Sequence, residues 1–246
     1  MSQAKRGVCV VIGAGEGLGG AIARAFSREG LAVCITRRPR HTQALEAMAQ
    51  SLRSEGAEAS AFGLDARKEA DVAAFIATVE QSIGPIEVLV FNIGANVRFP
   101  VLETTTQVYS KVWEMAALAG FLTSRETARA MIGRGRGTIL FTGATASVRG
   151  GAGFSAFAGA KHGLRALAQS LARELGPKGV HVGHVVIDGA IDGAFVRGLY
   201  PDAAEKLARE EILVPDEIAM NYVWLYRQKR SAWTFEMDLR PWSETW

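Results

Sequence analysis

The stretch VCVVIGAGEGLGGAIARAF, residues 8–26, decides the fold. A short apolar run is followed at once by glycines and then by a helix-forming segment, which predicts a buried strand, a tight turn and a helix. Gly13, Gly17 and Gly19 have the spacing GxxxGxG. Glycine lets a backbone turn tightly and approach a pyrophosphate that rests on the N–H groups at the start of a helix. At the first strand–helix junction of an α/β chain, this pattern predicts dinucleotide binding.

The same alternation continues to about residue 189. Apolar runs such as IEVLVFNIG (86–94) alternate with helical segments, among them helices predicted over 107–132 and 154–175. Strands that are apolar on both faces require helices on both sides of a parallel sheet, and right-handed crossovers make that sheet doubly wound. The sequence therefore predicts a single three-layer α/β/α domain of the Rossmann type over residues 1–246. Beyond Gly189 we expect a substrate lid over 190–212, formed by a loop and a short charged helix, and a last strand within 231–241.

Composition excludes several classes of protein. The 246 residues are 48% hydrophobic and 22% charged, which fits a soluble globular domain with a large core. The net charge is only +3, and its basic residues are dispersed, so no nucleic-acid surface is predicted. We find neither a signal peptide nor an apolar run of membrane-spanning length, and we expect a cytoplasmic protein.

Cys9 and Cys34 fall in apolar strands and are predicted to be buried reduced thiols. His181 and His184 share a strand without other ligand types, so no metal site is predicted.

Several motifs, in this order, resemble those of the short-chain dehydrogenase/reductase family. FNIG (91–94) resembles the family's NNAG element, GTILFTGA (137–144) its serine-bearing strand, FAGAK (157–161) its YxxxK motif and IDGAIDG (187–193) its PGxIxT motif. The resemblance extends over residues 7–239. It implies an oxidoreductase that uses a nicotinamide cofactor, acts on a small molecule that the sequence does not identify, and forms a dimer or tetramer. Helices 107–132 and 154–175 are apolar on more than one face, which also favours a homo-oligomer.

The resemblance also assigns the cofactor site. Asp65, after the third strand, matches the acidic residue that holds the adenine amino group in the family. The full set of predicted cofactor residues is Gly13, Gly15, Gly17, Leu18, Gly19, Arg37, Arg38, Asp65, Ala66, Asn92, Ile93, Gly94, Lys161, Gly189 and Ile191.

The second strand indicates which cofactor is preferred. It ends in ITRRPR, and Arg37 falls where NAD-dependent relatives carry an aspartate for the ribose hydroxyls. Arg37 and Arg38 suit a 2′-phosphate, because guanidinium groups form short charge-assisted hydrogen bonds to phosphate. NADP(H) is therefore the predicted cofactor, with NAD(H) as the alternative. Glu16 in the glycine-rich turn is the one opposing feature.

The catalytic set departs from the family pattern. The family's Asn, Ser and Tyr fall on Ala117, Ala144 and Phe157, and only Lys161 is retained. Loss of a positioned acid or base alone costs about 10²–10⁴-fold in rate, so ketone reduction by the usual route is expected to be poor. In relatives the lysine also binds the nicotinamide ribose. We expect a bound ribose to supply the partners that a buried ammonium needs.

Other polar residues are candidates to replace the missing groups: Thr145, Ser147, Asn96, Asp188 and Tyr200. Two functions stay open. One is an oxidoreductase with altered chemistry, for example conjugate reduction, in which hydride goes to carbon and the proton comes from water or another residue. The other is a non-catalytic NADP(H)-binding sensor or partner subunit. We favour the oxidoreductase.

Overall fold

The structure, a computed structural model, describes residues 6–245. Within that range seven parallel strands form one sheet in the order β3-β2-β1-β4-β5-β6-β7. The strand order changes direction between β1 and β4, and ligands of open α/β sheets bind in the crevice at that switch point. In chain order the strands are β1 Val8–Ile12, β2 Ala32–Arg37, β3 Ala59–Gly63, β4 Ile86–Phe91, β5 Gly137–Thr142, β6 Val180–Ile187 and β7 Glu236–Leu239.

Helices cover both faces of this sheet, as predicted. One core packs α1, α2 and α9 against the sheet, and the other packs α3, α5 and α6 against its opposite face. The fold is therefore the predicted single three-layer α/β/α domain. The helices are α1 Leu18–Arg28, α2 Thr42–Ser54, α3 Glu69–Thr78, α4 Thr106–Trp113, α5 Ala119–Arg134, α6 Ser155–Leu175, α7 Ala194–Leu199, α8 Ala203–Ala208 and α9 Pro215–Arg227.

The central strand shows why the sequence folds this way. All five residues of β1 are buried, and successive side chains enter opposite cores. Cys9 lies in the first core, whereas Cys34 of the neighbouring β2 lies in the second. Burial raises the pKa of Cys34 to about 12 and that of Cys9 well above its ordinary value. The prediction of two buried reduced thiols is confirmed.

Three elements differ from their predicted form. The helix predicted over 107–132 is α4 and α5 joined by a π-helical turn, Glu114–Leu118. The last strand is only Glu236–Leu239, because the chain before it forms a 3-10 turn and Trp233 stacks on His181 with ring centres 4.9 Å apart. Residues 190–212 contain two short helices, α7 and α8, rather than one.

Candidate functional site

A cleft of about 390 Å³ opens at the carboxyl ends of the central strands, at the switch point of the sheet. The last residues of β1 and β2 and the segments that follow β1, β2, β3 and β4 form its walls, together with Met115. The predicted cofactor residues that line it are Gly13, Gly15, Arg37, Arg38, Asp65, Ala66, Asn92, Ile93 and Gly94. These residues are far apart in the chain, and the parallel sheet brings them together.

The glycine-rich turn is closely packed on one side and open on the other. A Cβ on Gly19 would stand 2.7 Å from the Cα of Ala14, and Gly13 adopts a left-handed φ of 91°. Asn92 holds the turn, since its Nδ2 donates to the carbonyl oxygen of Gly13 at 3.1 Å. Among the described residues, and apart from Gly17 itself and its neighbours in the chain, no atom lies within 4 Å of the place where a Cβ of Gly17 would stand. The turn therefore leaves room for another group's close approach.

The start of α1 completes this part of the site. Leu18 is buried in the first core, so its side chain is not available to a ligand. Among the described residues, no side chain caps the start of α1, and its first turn has no acidic residue. A free helix start carries positive partial charge and favours an anion. The turn and helix thus fit the pyrophosphate of a dinucleotide.

Basic side chains gather at the end of β2. Arg37, Arg38 and His41 line the cleft, and Arg67 enters it from the segment after β3. The pKa of the Arg38 guanidinium is lowered by partial burial and by its neighbours Arg40 and Arg67. Such mutual repulsion between cations is relieved by an anion. The cleft therefore carries an anion-binding corner beside the glycine-rich turn.

Sequence reasoning missed Arg40, His41 and Arg67 as members of this corner. Arg67 reaches the corner because β2 pairs with β3, which places the residues after the two strands side by side, and neither segment shows this on its own. Arg67 also occupies the predicted adenine contact: its Nε and Nη2 donate to the two oxygens of Asp65 at 2.8 and 2.7 Å. These hydrogen bonds hold the pKa of Asp65 below its usual value. Oδ1 also accepts from the backbone N–H of Arg67 at 3.2 Å, so Oδ2 is the oxygen with an acceptor position left for a ligand.

Lys161 lies behind the cleft and is almost fully buried. Its Nζ donates to the carbonyl oxygen of Ile93 at 3.0 Å and to that of Thr142 at 2.9 Å. Burial lowers the pKa of Lys161 to about 7. The expectation that a ribose must supply the partners of this lysine was wrong, because two backbone carbonyls at strand ends supply them. A neutral amine uses both of its N–H groups in these bonds, whereas the ammonium form has a third to offer.

The missing catalytic groups leave an apolar cluster beside Lys161. Phe157 is 7% exposed and is grouped with Ala146 and Ala158, against which Ala144 and Phe154 pack. The rings of Phe154 and Phe157 have centres 6.5 Å apart. Apolar side chains thus stand at the positions where the resemblance places a hydroxyl and a phenol.

Ala117 lies in the π-helical turn between α4 and α5 and is buried. Such turns occur frequently at functional sites of proteins. The local backbone therefore has a form typical of a functional site although the side chain here is a methyl group.

Most of the candidate replacement groups are already engaged in the fold. Asp188 is 2% exposed; it accepts a hydrogen bond from Thr145 and pairs with Arg149 at 3.3 Å and with Arg240 at 3.5 Å. Ser147 Oγ accepts a hydrogen bond from the backbone N–H of Ala144 at 3.1 Å. The two arginines around Asp188 were not predicted from the sequence.

The two remaining candidates lie elsewhere. Asn96 lines the cleft and is exposed. Tyr200, between the two short helices of 190–212, lies under the Lys206 ammonium, which is 4.6 Å from its ring centre. Asn96 is therefore the one candidate that the cleft itself presents.

The predicted cofactor residues Gly189 and Ile191 contact residues that come later in the chain, Pro241 and Leu213. A Cβ on Gly189 would stand 2.7 Å from Cδ of Pro241, so glycine permits this close contact. Ile191 forms a parallel bridge with Leu213. The two residues therefore lead from β6 into the predicted lid.

The described part of the chain has neither a cluster of metal-ligating side chains nor a membrane-spanning helix. Between residues 6 and 245, no group of three or more His, Cys, Asp or Glu side chains could hold a metal ion. In the same range no helix is both long and apolar enough to cross a membrane.

Comparison with known proteins gives one family throughout. A model of the family described as short chain dehydrogenase matches residues 7–204. The curated relative "Uncharacterized oxidoreductase YxjF" of Bacillus subtilis (strain 168) is 31% identical over 202 residues, which are 82% of this chain and 77% of that protein. The crystal structure of a short-chain dehydrogenase from Rhodopseudomonas palustris is 46% identical, covers 96% of this chain and 99% of its own, and superimposes with a TM-score of 0.82. A metagenomic short-chain oxidoreductase solved in complex with NADP is 27% identical over 97% of this chain and 98% of its own, with a TM-score of 0.79.

Proposed function

The chain belongs to the short-chain dehydrogenase/reductase family, and from that premise we propose that it is an NADP(H)-dependent oxidoreductase that works without the family's tyrosine. Its homologues and its fold indicate an oxidoreductase of the short-chain dehydrogenase type. NADP(H) as the cofactor and the altered chemistry are the parts that we propose.

The observation that supports NADP(H) is the anion-binding corner at the end of β2. Arg37, Arg38, His41 and Arg67 line one wall of the cleft, and Asp65, the carboxylate among the lining residues, is already paired with Arg67. A 2′-phosphate would bring about two negative charges and three acceptor oxygens to this corner. The ribose hydroxyls of NAD(H) need an acceptor, and an arginine side chain has none to offer. The structure of a relative with bound NADP supports the same choice.

The chain's own residues would hold this cofactor along the cleft. The glycine-rich turn and the start of α1 would bind the pyrophosphate, and Asp65 and Ala66 would contact the adenine. Lys161, in its ammonium form, would donate its third N–H to the nicotinamide ribose. Bound NADP(H) supplies hydride transfer.

The apolar cluster around Phe157 limits which reaction fits the site. Reduction of a ketone needs a proton on the substrate oxygen, and neither Phe157 nor Ala144 can donate one. Conjugate reduction of an enone or an enoyl thioester needs a hydride at the β-carbon and a proton at the α-carbon, which water can supply. We therefore propose an activated carbon–carbon double bond as the substrate class. Residues 190–212 would form the lid over it, and they hold together through one apolar cluster of Val196 in α7, Ala203 in α8 and Ile212 beyond it.

The second candidate is a non-catalytic NADP(H)-binding sensor or partner subunit. It is favoured by one observation: Thr145, Ser147 and Asp188, three of the candidate replacement groups, are held in hydrogen bonds within the fold. Cofactor binding is common to both candidates, so only turnover separates them.

In either case we expect a homo-oligomer, and light scattering that gave the 26.4 kDa monomer mass would contradict this expectation.

The test combines binding with turnover. Fluorescence titration should give tighter binding of NADPH than of NADH. NADPH oxidation is then followed with matched pairs of substrates, each an enone and its saturated ketone. We expect turnover with enones and little with saturated ketones, and much slower enone turnover in an Arg37→Asp variant assayed at the same NADPH concentration, set near the wild-type Kd. NADPH binding without turnover of any pair would support the sensor or partner subunit instead.

A further inference from the structure

His41 occupies an unusual place in the anion-binding corner. It ends the 3-10 turn Pro39–His41 between β2 and α2, and its half-buried side chain lines the cleft. Arg40 Nε donates to His41 Nε2 at 3.1 Å. A ring nitrogen that accepts a hydrogen bond carries no proton, so this contact describes a neutral imidazole with its proton on Nδ1.

The groups that face His41 are mostly cationic. Arg37, Arg38 and Arg40 adjoin it, and partial burial together with these three arginines holds the pKa of His41 below its usual value. Arg67 faces the corner from the segment after β3, where it is paired with Asp65. On α2, the first carboxylate is Glu46, which pairs with Arg53 at 2.5 Å. His41 is therefore surrounded by positive charge that a ligand anion would offset.

A bound phosphate reverses the electrostatics of this corner. A phosphate monoester carries about −1.5 to −2 charges near neutral pH. Beside such a group the imidazolium form is favoured, because an opposite charge within about 4–6 Å stabilises the charged form of a titratable group. Protonated His41 can no longer accept from Arg40, so both side chains become free to donate to phosphate oxygens.

From this arrangement we propose that His41 is a further specificity-determining residue, which takes up a proton when the 2′-phosphate of NADP(H) binds. This inference rests on the proposed NADP(H) function. NADPH binding is then coupled to pH more strongly than NADH binding, because the protonation of Lys161 is common to both cofactors and that of His41 needs the 2′-phosphate. His41 thereby adds a further cationic side chain to the corner, and its positive charge forms only when the cofactor that carries the 2′-phosphate is bound.

The sign of the pH effect follows from linkage. Binding raises the pKa of His41 from below 6.5 to a higher value, so the complex holds more protons than the free protein. The affinity for NADPH therefore falls as the pH rises through the bound-state pKa and levels off above it. Each unit of pKa difference corresponds to about tenfold in affinity. Lys161 contributes a pH dependence that both cofactors share, so we expect the ratio of NADPH affinity to NADH affinity to fall about three- to tenfold between about pH 6.5 and pH 8.5. Protonation of the phosphate itself acts in the opposite direction and only near pH 6.

The experiment measures proton uptake directly. Titration calorimetry with NADPH at about pH 7 is repeated in two buffers of different ionisation enthalpy, because the difference in heat gives the number of protons bound. The same titrations with NADH give the proton uptake that Lys161 contributes to the binding of both cofactors. We expect wild type to take up a substantial fraction of a proton more with NADPH than with NADH, and a His41→Gln variant to show almost no such difference. His162→Gln is the matched control and should behave as wild type, since His162 is an exposed histidine on α6 outside the cleft.

Two further observations keep the test decisive. A urea unfolding midpoint equal to that of wild type shows that His41→Gln is folded. A His41→Lys variant carries a fixed positive charge, so its NADPH and NADH affinities should change alike with pH between about 6.5 and 8.5. Equal proton uptake by wild type and His41→Gln overturns this inference alone, provided that NADPH still binds more tightly than NADH. If NADPH is not preferred, the proposed cofactor and this inference both fail.

Discussion

The ammonium nitrogen of Lys161 lies 5.9 Å from the centre of the Phe157 ring, one turn away on the same helix. The lysine donates to two strand-end carbonyls, so it is held in place without a phenol. A role in binding the cofactor is thus compatible with the loss of the tyrosine, whereas a role in lowering the pKa of a phenol is not.

Cofactor preference should depend on Arg37. An Arg37→Asp variant replaces a donor by a carboxylate that repels a 2′-phosphate and accepts from ribose hydroxyls, so NADPH affinity should fall and NADH affinity should rise. Loss of a hydrogen bond to a charged group is worth about 1.5–3 kcal/mol, or about ten- to a hundredfold in Kd. Arg173→Asp, the same charge change on an exposed residue near the far end of α6, is the control. Equal Kd values for the two cofactors in wild type, or no change in Arg37→Asp, would refute the assignment.

Replacement of Lys161 should weaken both cofactors alike. Lys161→Met removes the donor to the nicotinamide ribose, which NADPH and NADH share, and Kd should rise about ten- to a hundredfold. Lys178→Met, at an exposed lysine just after α6, should leave both Kd values unchanged. A Kd for Lys161→Met that equals the wild-type value would show that the lysine does not anchor the cofactor.

The buried lysine should also make cofactor-free stability depend on pH. The pKa of Lys161 is about 7 in the folded protein, and an unfolded lysine has a pKa of about 10.4. Between these values the unfolded chain holds a proton that the folded protein lacks, so the free energy of unfolding rises with pH. The rise is at most about 1.4 kcal/mol per pH unit. Urea denaturation at several pH values from about 7 to 9 should show this rise in wild type and not in Lys161→Met. If the free energy of unfolding changed with pH in the same way in both proteins, Lys161 would not be the source of the pH dependence.

Restoring the family's hydroxyl groups should reveal whether the site is otherwise intact. Phe157→Tyr alone should give little ketone reduction, because Ala144 leaves the substrate oxygen without a second donor. Phe157→Tyr combined with Ala144→Ser should raise kcat/KM for a simple ketone by more than the product of the two single effects, since such groups act as a unit. The assay is NADPH-dependent reduction of a saturated ketone by all four proteins. If wild type already reduced a saturated ketone at a rate usual for the family, our hypothesis that Phe157 has ended the usual proton transfer would be wrong.

The architecture was predictable from the sequence because both faces of the sheet are buried. A strand such as β1, which supplies side chains to two cores, must be apolar throughout, and that pattern is visible without coordinates. The end of the chain was less predictable. Tryptophan is common in strands, so Trp233 was expected to belong to the last strand. Instead it stacks on His181 of β6, and no pattern in the sequence around Trp233 indicates this long-range contact.

The site was predictable where one segment carries the motif and not where two segments meet. The glycine-rich turn and Arg37 follow single strands, so their places could be deduced. His41 and Arg67 reach the same corner only because β2 and β3 pair and the chain turns sharply after each. Asp188 pairs with Arg149 and Arg240, which lie about 40 and 50 residues away in the chain. Periodicity within one segment does not predict such contacts either.

The measurement that tests the central claim most directly is transfer of deuterium from the cofactor to a substrate. The protein is incubated with NADPH deuterated at C4 of the nicotinamide, using each of the two C4 isotopomers in turn, and with a panel of enones and their saturated ketones. Mass spectrometry then locates the label in the product. Our account predicts deuterium at the β-carbon of a reduced enone, from one isotopomer only, with much less labelled product in Arg37→Asp reactions when NADPH is kept near the wild-type Kd. Saturating NADPH binding with no label in any product would contradict it and establish the chain as a cofactor-binding protein without hydride transfer.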